Sequence, residues 1–286
     1  MPNSSNNRAL VLGGGGVAGI AWTTGLLCGL SAHGVDLREA DLVVGTSAGA
    51  AVAAQLSCLS LEELFRRQVD PAQQTREITP DPRLIEQLLN TLPAIDASPD
   101  RAEAHRNVGR WALNAPTVTE EVRRAVIAER LPTHSWPDRP LHIVAVDTAT
   151  GETKVFDRFS TTSLVDAVAA SCAVPGVWPP VTIAGHRYMD GGVRSSDNAD
   201  LAKGYARIVV VSPMGTRPNE ILGYPLKAQL ELLHNAGAST YVVEPDEASK
   251  GAMGINPLLP ETRGPSARAG RAQALAIATE LARFWA

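Results

Sequence analysis

The chain has few of the features that mark metal, disulfide or nucleic-acid proteins. Only three cysteines occur in 286 residues, Cys28, Cys58 and Cys172, each in apolar surroundings and without metal-ligand spacing. An odd, sparse count argues against a disulfide framework; the three read as core filler in a protein of a reducing, cytoplasmic compartment. The six histidines do not cluster. There is no basic block and the formal net charge is −4, so the electrostatic footprint of a nucleic-acid binder is missing. No internal repeat is present, and no stretch rich in glycine, serine and proline divides the chain. Residues 8–286 are therefore expected to form one domain after a polar, disordered lead-in at residues 1–7.

Charge itself is missing from Ala9 to Ala32, a run long enough to be confused with a signal peptide or membrane span. Gly13 to Gly16 argue otherwise, because each glycine costs a helix about 1 kcal/mol relative to alanine. The better parse is a strand at Arg8–Leu12, a glycine loop at Gly13–Gly19 and a helix at Ile20–Ala32, closed by His33-Gly34. Gly14, Gly16 and Gly19 also satisfy G-x-G-x-x-G, the dinucleotide fingerprint. That reading wants an acid at the end of the second strand. Here Asp41 stands at its beginning and Gly45-Thr46-Ser47 at its end.

What is present at that end is Gly45-Thr46-Ser47-Ala48-Gly49, between the β-branched run Leu42–Val44 and a small-residue helical stretch. A serine pushed out on so sharp a turn has a strained backbone, and side chains two residues either way would collide; Gly45 and Gly49 remove both collisions. Ser47 then lies at a helix N-terminus, where free N–H groups favour a developing oxyanion. A glycine-punctuated strand end with an incidental serine fits the same residues.

Residues 60–137 are richer in charge and proline and read as an insertion of amphipathic helices. Ser60-Leu61-Glu62-Glu63 is a capping box, Asp81-Pro82 opens a second helix, Ser98-Pro99 a third and Thr117–Glu120 a fourth. Leu84, Ile85, Leu88, Leu89 and Leu92 share one face. Most of this insertion is expected simply to pack on the sheet; the functional alternative makes part of it, with Trp111 and Leu113, a lid or one wall of an acyl pocket. Strands are expected at Leu141–Val146 and Thr153–Phe156, then a helix at Ser163–Cys172. A hairpin through Ala184-Gly185 delivers the chain to Asp190-Gly191-Gly192. Later come strands at Arg207–Val211 and Ser239–Val243, a helix at Tyr224–Ala236, and a terminal helix from Pro265 burying Ala274, Leu275, Ile277, Ala278 and Leu281.

Gly14-Gly15-Gly16-Val17-Ala18-Gly19, Gly45–Gly49 and Asp190-Gly191-Gly192 occur in that order, with Ala170–Pro175 and Trp178–Val181 leading to the aspartate. Together they resemble the patatin-like phospholipases over residues 8–212. The resemblance implies an α/β fold, a three-layer α/β/α with a mainly parallel sheet, in which 213–286 is a strand–helix extension. It implies hydrolysis of acyl lipid esters without metal or organic cofactor, at times on a membrane surface. Ser47 would be the nucleophile and Asp190 its base in a Ser–Asp dyad. The N–H groups of Gly14, Gly15, Gly16 and Ala48 would hold the oxyanion, with Gly19, Gly45, Gly49, Gly191 and Gly192 as motif glycines. Ala18 departs from the family's usual cation before the last glycine of the first motif. A histidine-based triad through His186 or His234, a small-ester or thioester hydrolase, and a non-hydrolytic lipid-binding scaffold are the rival readings. The oligomeric state is not written in the sequence.

Overall fold

The computed structural model describes residues 7–96, 100–216 and 223–286, with backbone alone for residues 92–96. In chain order the elements are β1 (Arg8–Leu12), α1 (Gly16–Ala32), β2 (Leu42–Thr46), α2 (Ala48–Gln55), α3 (Leu61–Val69), α4 (Pro82–Asp96), α5 (Arg101–Asn114), α6 (Glu120–Arg130), β3 (Leu141–Asp147) and β4 (Thr153–Phe156). They continue with α7 (Leu164–Ser171), β5 (Val181–Ile183), β6 (His186–Asp190), β7 (Arg207–Val211), α8 (Leu226–Asn235), β8 (Ser239–Val243), α9 (Glu247–Met253) and α10 (Arg263–Trp285).

Among the described residues the strands form one eight-stranded sheet, paired β5–β6–β3–β2–β1–β7–β8, with β4 also on β3. The pairings from β3 through β2, β1 and β7 to β8 are parallel; those of β4, β5 and β6 are antiparallel. Alternation along β1 makes the layers. Leu10 and Leu12 join a core with α1, α2, α7 and α10, while Ala9 and Val11 join one with α8 through Leu226 and Leu233. The result is the three-layer α/β/α fold.

α1 explains the uncharged run. Every residue from Val17 to Leu30 is buried, so no face of this helix meets water. It crosses α10 at backbone contact: a Cβ on Gly25 would lie 1.9 Å from Ala267 O, and one on Gly270 2.2 Å from Trp22 O. No helix among the described residues is long and apolar enough to span a membrane.

Several boundaries differ from the sequence expectation. α1 begins at Gly16, not Ile20, because complete burial outweighs the poor helix propensity of two glycines. α5 begins at Arg101 under an Asp100 cap; Ser98 and Pro99 lie outside the described residues. α6 is capped by Thr119 rather than Thr117. On α4, Leu84 is buried but Leu89 is 66% exposed, and the side chain of Leu92 lies outside the described residues. Leu275 is equally exposed, one step off the stripe of Gly270, Ala274 and Ala278 that faces α1. Cys58 is exposed rather than core filler, in the turn after α2. Asn7, read as part of a disordered lead-in, accepts from the N–H groups of Ala206 and Arg207; residues 1–6 lie outside the described residues.

Candidate active site

β2 ends at Thr46, and Ser47 takes φ 53° and ψ −115°, a left-handed value that side-chain-bearing residues seldom adopt. Its surroundings over-determine it. The Ser47 N–H donates to Ser171 Oγ (2.9 Å), Ser171 Oγ donates to Val144 O (2.6 Å), and Cys172 Sγ donates to Ser47 O (3.2 Å). A Cβ on Gly45 would lie 2.7 Å from Ala50 Cα, and one on Gly49 1.9 Å from Leu12 O. The first glycine lets α2 fold back on its own strand; the second lets it press on the neighbouring one.

Strand register brings Asp190 to this serine. At Ile143 and Val144, β3 pairs with both β2 and β4, so these occupy opposite edges of it. At Ala145 and Val146 it pairs with both β4 and β6, so β6 shares the β2 edge. β2 stops beside Val144 and β6, running the other way, stops beside Ala145. The two strands meet end to end, and the residues at the junction are Ser47 and Asp190. Ser47 Oγ donates to Asp190 Oδ2 at 2.7 Å, and the Gly192 N–H donates to Asp190 Oδ1 at 2.7 Å. Gly191 passes so close to β3 that a Cβ would lie 2.4 Å from Val144 O. Asn198 closes the junction, its Nδ2 donating to Thr46 Oγ1 and to the carbonyls of Gly191 and Ser195.

Asp190 is 4% exposed. Burial pushes its carboxyl up to about 7, against the opposing pull of the hydrogen bonds from Gly192 and Ser47. The group is thus a base of useful strength near neutral pH. Neither histidine of the rival triad reaches it: His186 bonds Asp147 Oδ2 and His234 bonds Thr240 Oγ1.

The glycine loop adjoins this serine, a Cβ on Gly14 falling 3.5 Å from Ser47 Cβ. One of the four expected oxyanion donors is already engaged: the Gly14 N–H donates to Ser196 O at 2.8 Å. Those of Gly15, Gly16 and Ala48 have no acceptor among the described residues, as befits the first turns of α1 and α2. Where the family's cation would stand, Ala18 is fully buried and its N–H donates to Pro257 O, so a loop from the C-terminal region covers that spot.

A cavity of about 20 Å³ borders Ser47, lined among others by Gly16, Ala48, Cys172, Val174, Trp178 and Leu258. The insertion does reach this cavity, though through Glu77, Arg123 and Arg130 instead of the leucines of α4. Leu113 is 43% exposed and does not line it. Trp111 packs one layer behind, its ring against Gly176 in the turn between Val174 and Trp178. Glu77 and its arginines were invisible in the sequence, where a loop glutamate and helical arginines look like solvated surface. Ser171 stood in a stretch already singled out, with nothing to mark its hydroxyl as a brace.

The family model for patatin-like phospholipase matches residues 10–203. Comparison with curated proteins finds no match. Among solved structures, VipD from Legionella pneumophila is similar with a TM-score of 0.47 and 13% identity, over 97% of this chain and 67% of its own. The type III effector protein ExoU is similar with a TM-score of 0.41 and 16% identity, over 96% of this chain and 53% of its own, so this chain spans about half of its length.

Proposed function

Since the chain belongs to the patatin-like phospholipase family, a family of lipid hydrolases, we propose that it cleaves carboxylic esters of phospholipids or related acyl lipids through a Ser47 acyl-enzyme. The observation that carries this reading is the 2.7 Å hydrogen bond from Ser47 Oγ to a buried Asp190 carboxylate. Asp190 takes the Ser47 proton as Oγ attacks the ester carbonyl. The oxyanion is held by the N–H groups of Gly15, Gly16 and Ala48. Asp190 then gives its proton to the leaving alkoxide, and the acyl-enzyme forms. Water, deprotonated by the same carboxylate, releases the fatty acid and restores Ser47. A carboxyl near 7 suits both halves of the cycle, because a catalytic pKa close to the working pH balances uptake against delivery of the proton. A membrane surface is the expected meeting place with such substrates.

A fluorophosphonate probe tests the assignment. The native chain should label on Ser47, and Ser47→Ala should not label at all. A native chain that remains unlabelled while correctly folded would turn the reading toward a non-hydrolytic lipid-binding scaffold.

A further inference from the structure

Three buried guanidinium groups share a single carboxylate, and two of them border the Ser47 cavity. Arg123 Nη1 donates to Glu77 Oε1 at 2.6 Å, Arg130 Nη2 donates to Glu77 Oε2, and Arg263 Nη2 stands 3.9 Å from that oxygen. All are out of water: the side chains of Arg123, Arg130, Arg263 and Glu77 are 8, 6, 8 and 3% exposed. No other carboxylate among the described residues forms an ion pair with any of the three arginines. The nest therefore holds an excess of two positive charges, and unpaired buried charge costs several kcal/mol per ion. A network serving only to tie helices together would be expected to balance.

Two further observations turn that excess toward a ligand. Arg123 Nε is buried without a hydrogen-bond partner, its guanidinium lying 4.0 Å over the ring of Trp178. The cations also border the ester site directly: Arg123, Arg130 and Glu77 line the cavity that Ser47 lines, and Arg130 with Arg263 lines the adjoining one. The cations are anchored on α6 and at the start of α10, whereas Glu77 arrives on the stretch 74–81, which has neither helix nor strand. A cavity of about 20 Å³ has room for roughly one water and not for an ester, so something beside Ser47 has to withdraw.

We propose that Arg123, Arg130 and Arg263 form an anion subsite of the ester site, that Glu77 fills it as an internal ligand, and that a phosphate or carboxylate group borne by the acyl ligand displaces Glu77 on binding. This rests on the reading of Ser47 as the nucleophile. Withdrawal of Glu77 opens the space and bares forked donors that match either anion. The site selects esters with a negative charge close to the scissile bond.

The test is binding, measured without turnover. Octyl phosphate, octanoate and uncharged 1-octylglycerol are titrated calorimetrically into the Ser47→Ala chain. Octyl phosphate should bind at least tenfold more tightly than 1-octylglycerol, and octanoate should fall between them. Adding Arg123→Gln should weaken octyl phosphate at least tenfold, and adding Glu77→Gln should tighten it at least fivefold, with 1-octylglycerol changed less than twofold by either. Damage to the fold would move both variants in the same direction. Should Glu77→Gln not fold, Glu77→Asp carries the comparison, its shorter reach giving a two- to threefold tightening. Equal affinity for charged and uncharged ligands, or weaker phosphate binding on neutralising or shortening Glu77, overturns the proposal. Inorganic phosphate binding as tightly as octyl phosphate overturns an acyl-borne anion. Because none of this needs hydrolysis, failure here is separate from failure of the fluorophosphonate test.

Discussion

Asp190 and Glu77 are both nearly shut off from solvent and both belong to the surroundings of Ser47, yet their carboxyls are driven in opposite directions. Asp190 has only neutral donors, Ser47 Oγ and the Gly192 N–H, and burial pushes it up to about 7. Glu77 feels the same kind of burial, but the guanidiniums of Arg130 and Arg123 overcome it and hold the carboxyl down at about 2. Identical chemistry thus yields a proton-accepting base in one place and a permanent anion in the other. What separates them is the company of cations rather than depth.

The largest expected effect breaks one side of this contrast. Ser47→Ala should abolish ester hydrolysis, and Asp190→Asn should lower kcat by about 10²–10⁴ as the general base is lost. Both proteins should keep the native circular dichroism spectrum. A folded Asp190→Asn chain with near-native turnover would remove the dyad.

The same substitution sharpens the contrast when stability is read against pH. A carboxyl raised from 3.8 to about 7 by folding stabilises the native state fully below pH 4, and this is lost as the pH climbs through 7. The shift is worth about 4 kcal/mol, so Asp190→Asn should be the more stable protein at pH 8 by up to that amount, and indistinguishable from native near pH 4. Glu77 has the reverse sign. Its carboxyl is lowered from 4.5 to about 2, so its contribution is present above pH 4.5 and disappears as the pH falls through 2. Glu77→Gln should cost about 3–5 kcal/mol at pH 7, and the gap should close in acid. Urea titrations at pH 4 and pH 8 read the sign for Asp190, and titrations at pH 2 and pH 7 read it for Glu77; two shifts of the same sign would mean that burial alone governs these groups.

A smaller effect concerns rate against pH. A general base at Asp190 would work only when ionised, so kcat/KM for a neutral ester should rise with pH along an acid limb centred near 7 and level off above it. A limb near 4 would show a base in ordinary contact with water. Smallest of all, His186→Ala and His234→Ala should change kcat less than twofold, because neither ring reaches Asp190.

Legibility followed the range of the interaction. β1, the elbow at Ser47, the hairpin through Ala184-Gly185 and the Ser60 cap are written in a few adjacent residues, and each stands where the pattern placed it. Asp190 was legible through a resemblance, since Asp-Gly-Gly by itself reads as a turn. The misjudged positions depend on partners far along the chain. Whether Gly14 keeps a free N–H is decided by Ser196, and whether Leu275 is buried by the crossing of α10 on α1. Leucine spacing on α4 suggested an apolar trough, whereas the insertion meets the site through Glu77, Arg123 and Arg130, whose pairing no local pattern encodes.

The end-to-end meeting of β2 and β6 along one edge of β3 makes the Ser47–Asp190 bond an indicator of assembly. Its partners are 143 residues apart, and they touch only when two strands of opposite direction have both found the correct register on a third. A slip of one residue in either pairing would turn a side chain to the other face. Reactivity of Ser47 during refolding should therefore clock the docking of β2 and β6 on β3. Helices detectable by circular dichroism should precede that moment, since local contacts close at lower entropic cost than the pairing of distant strands.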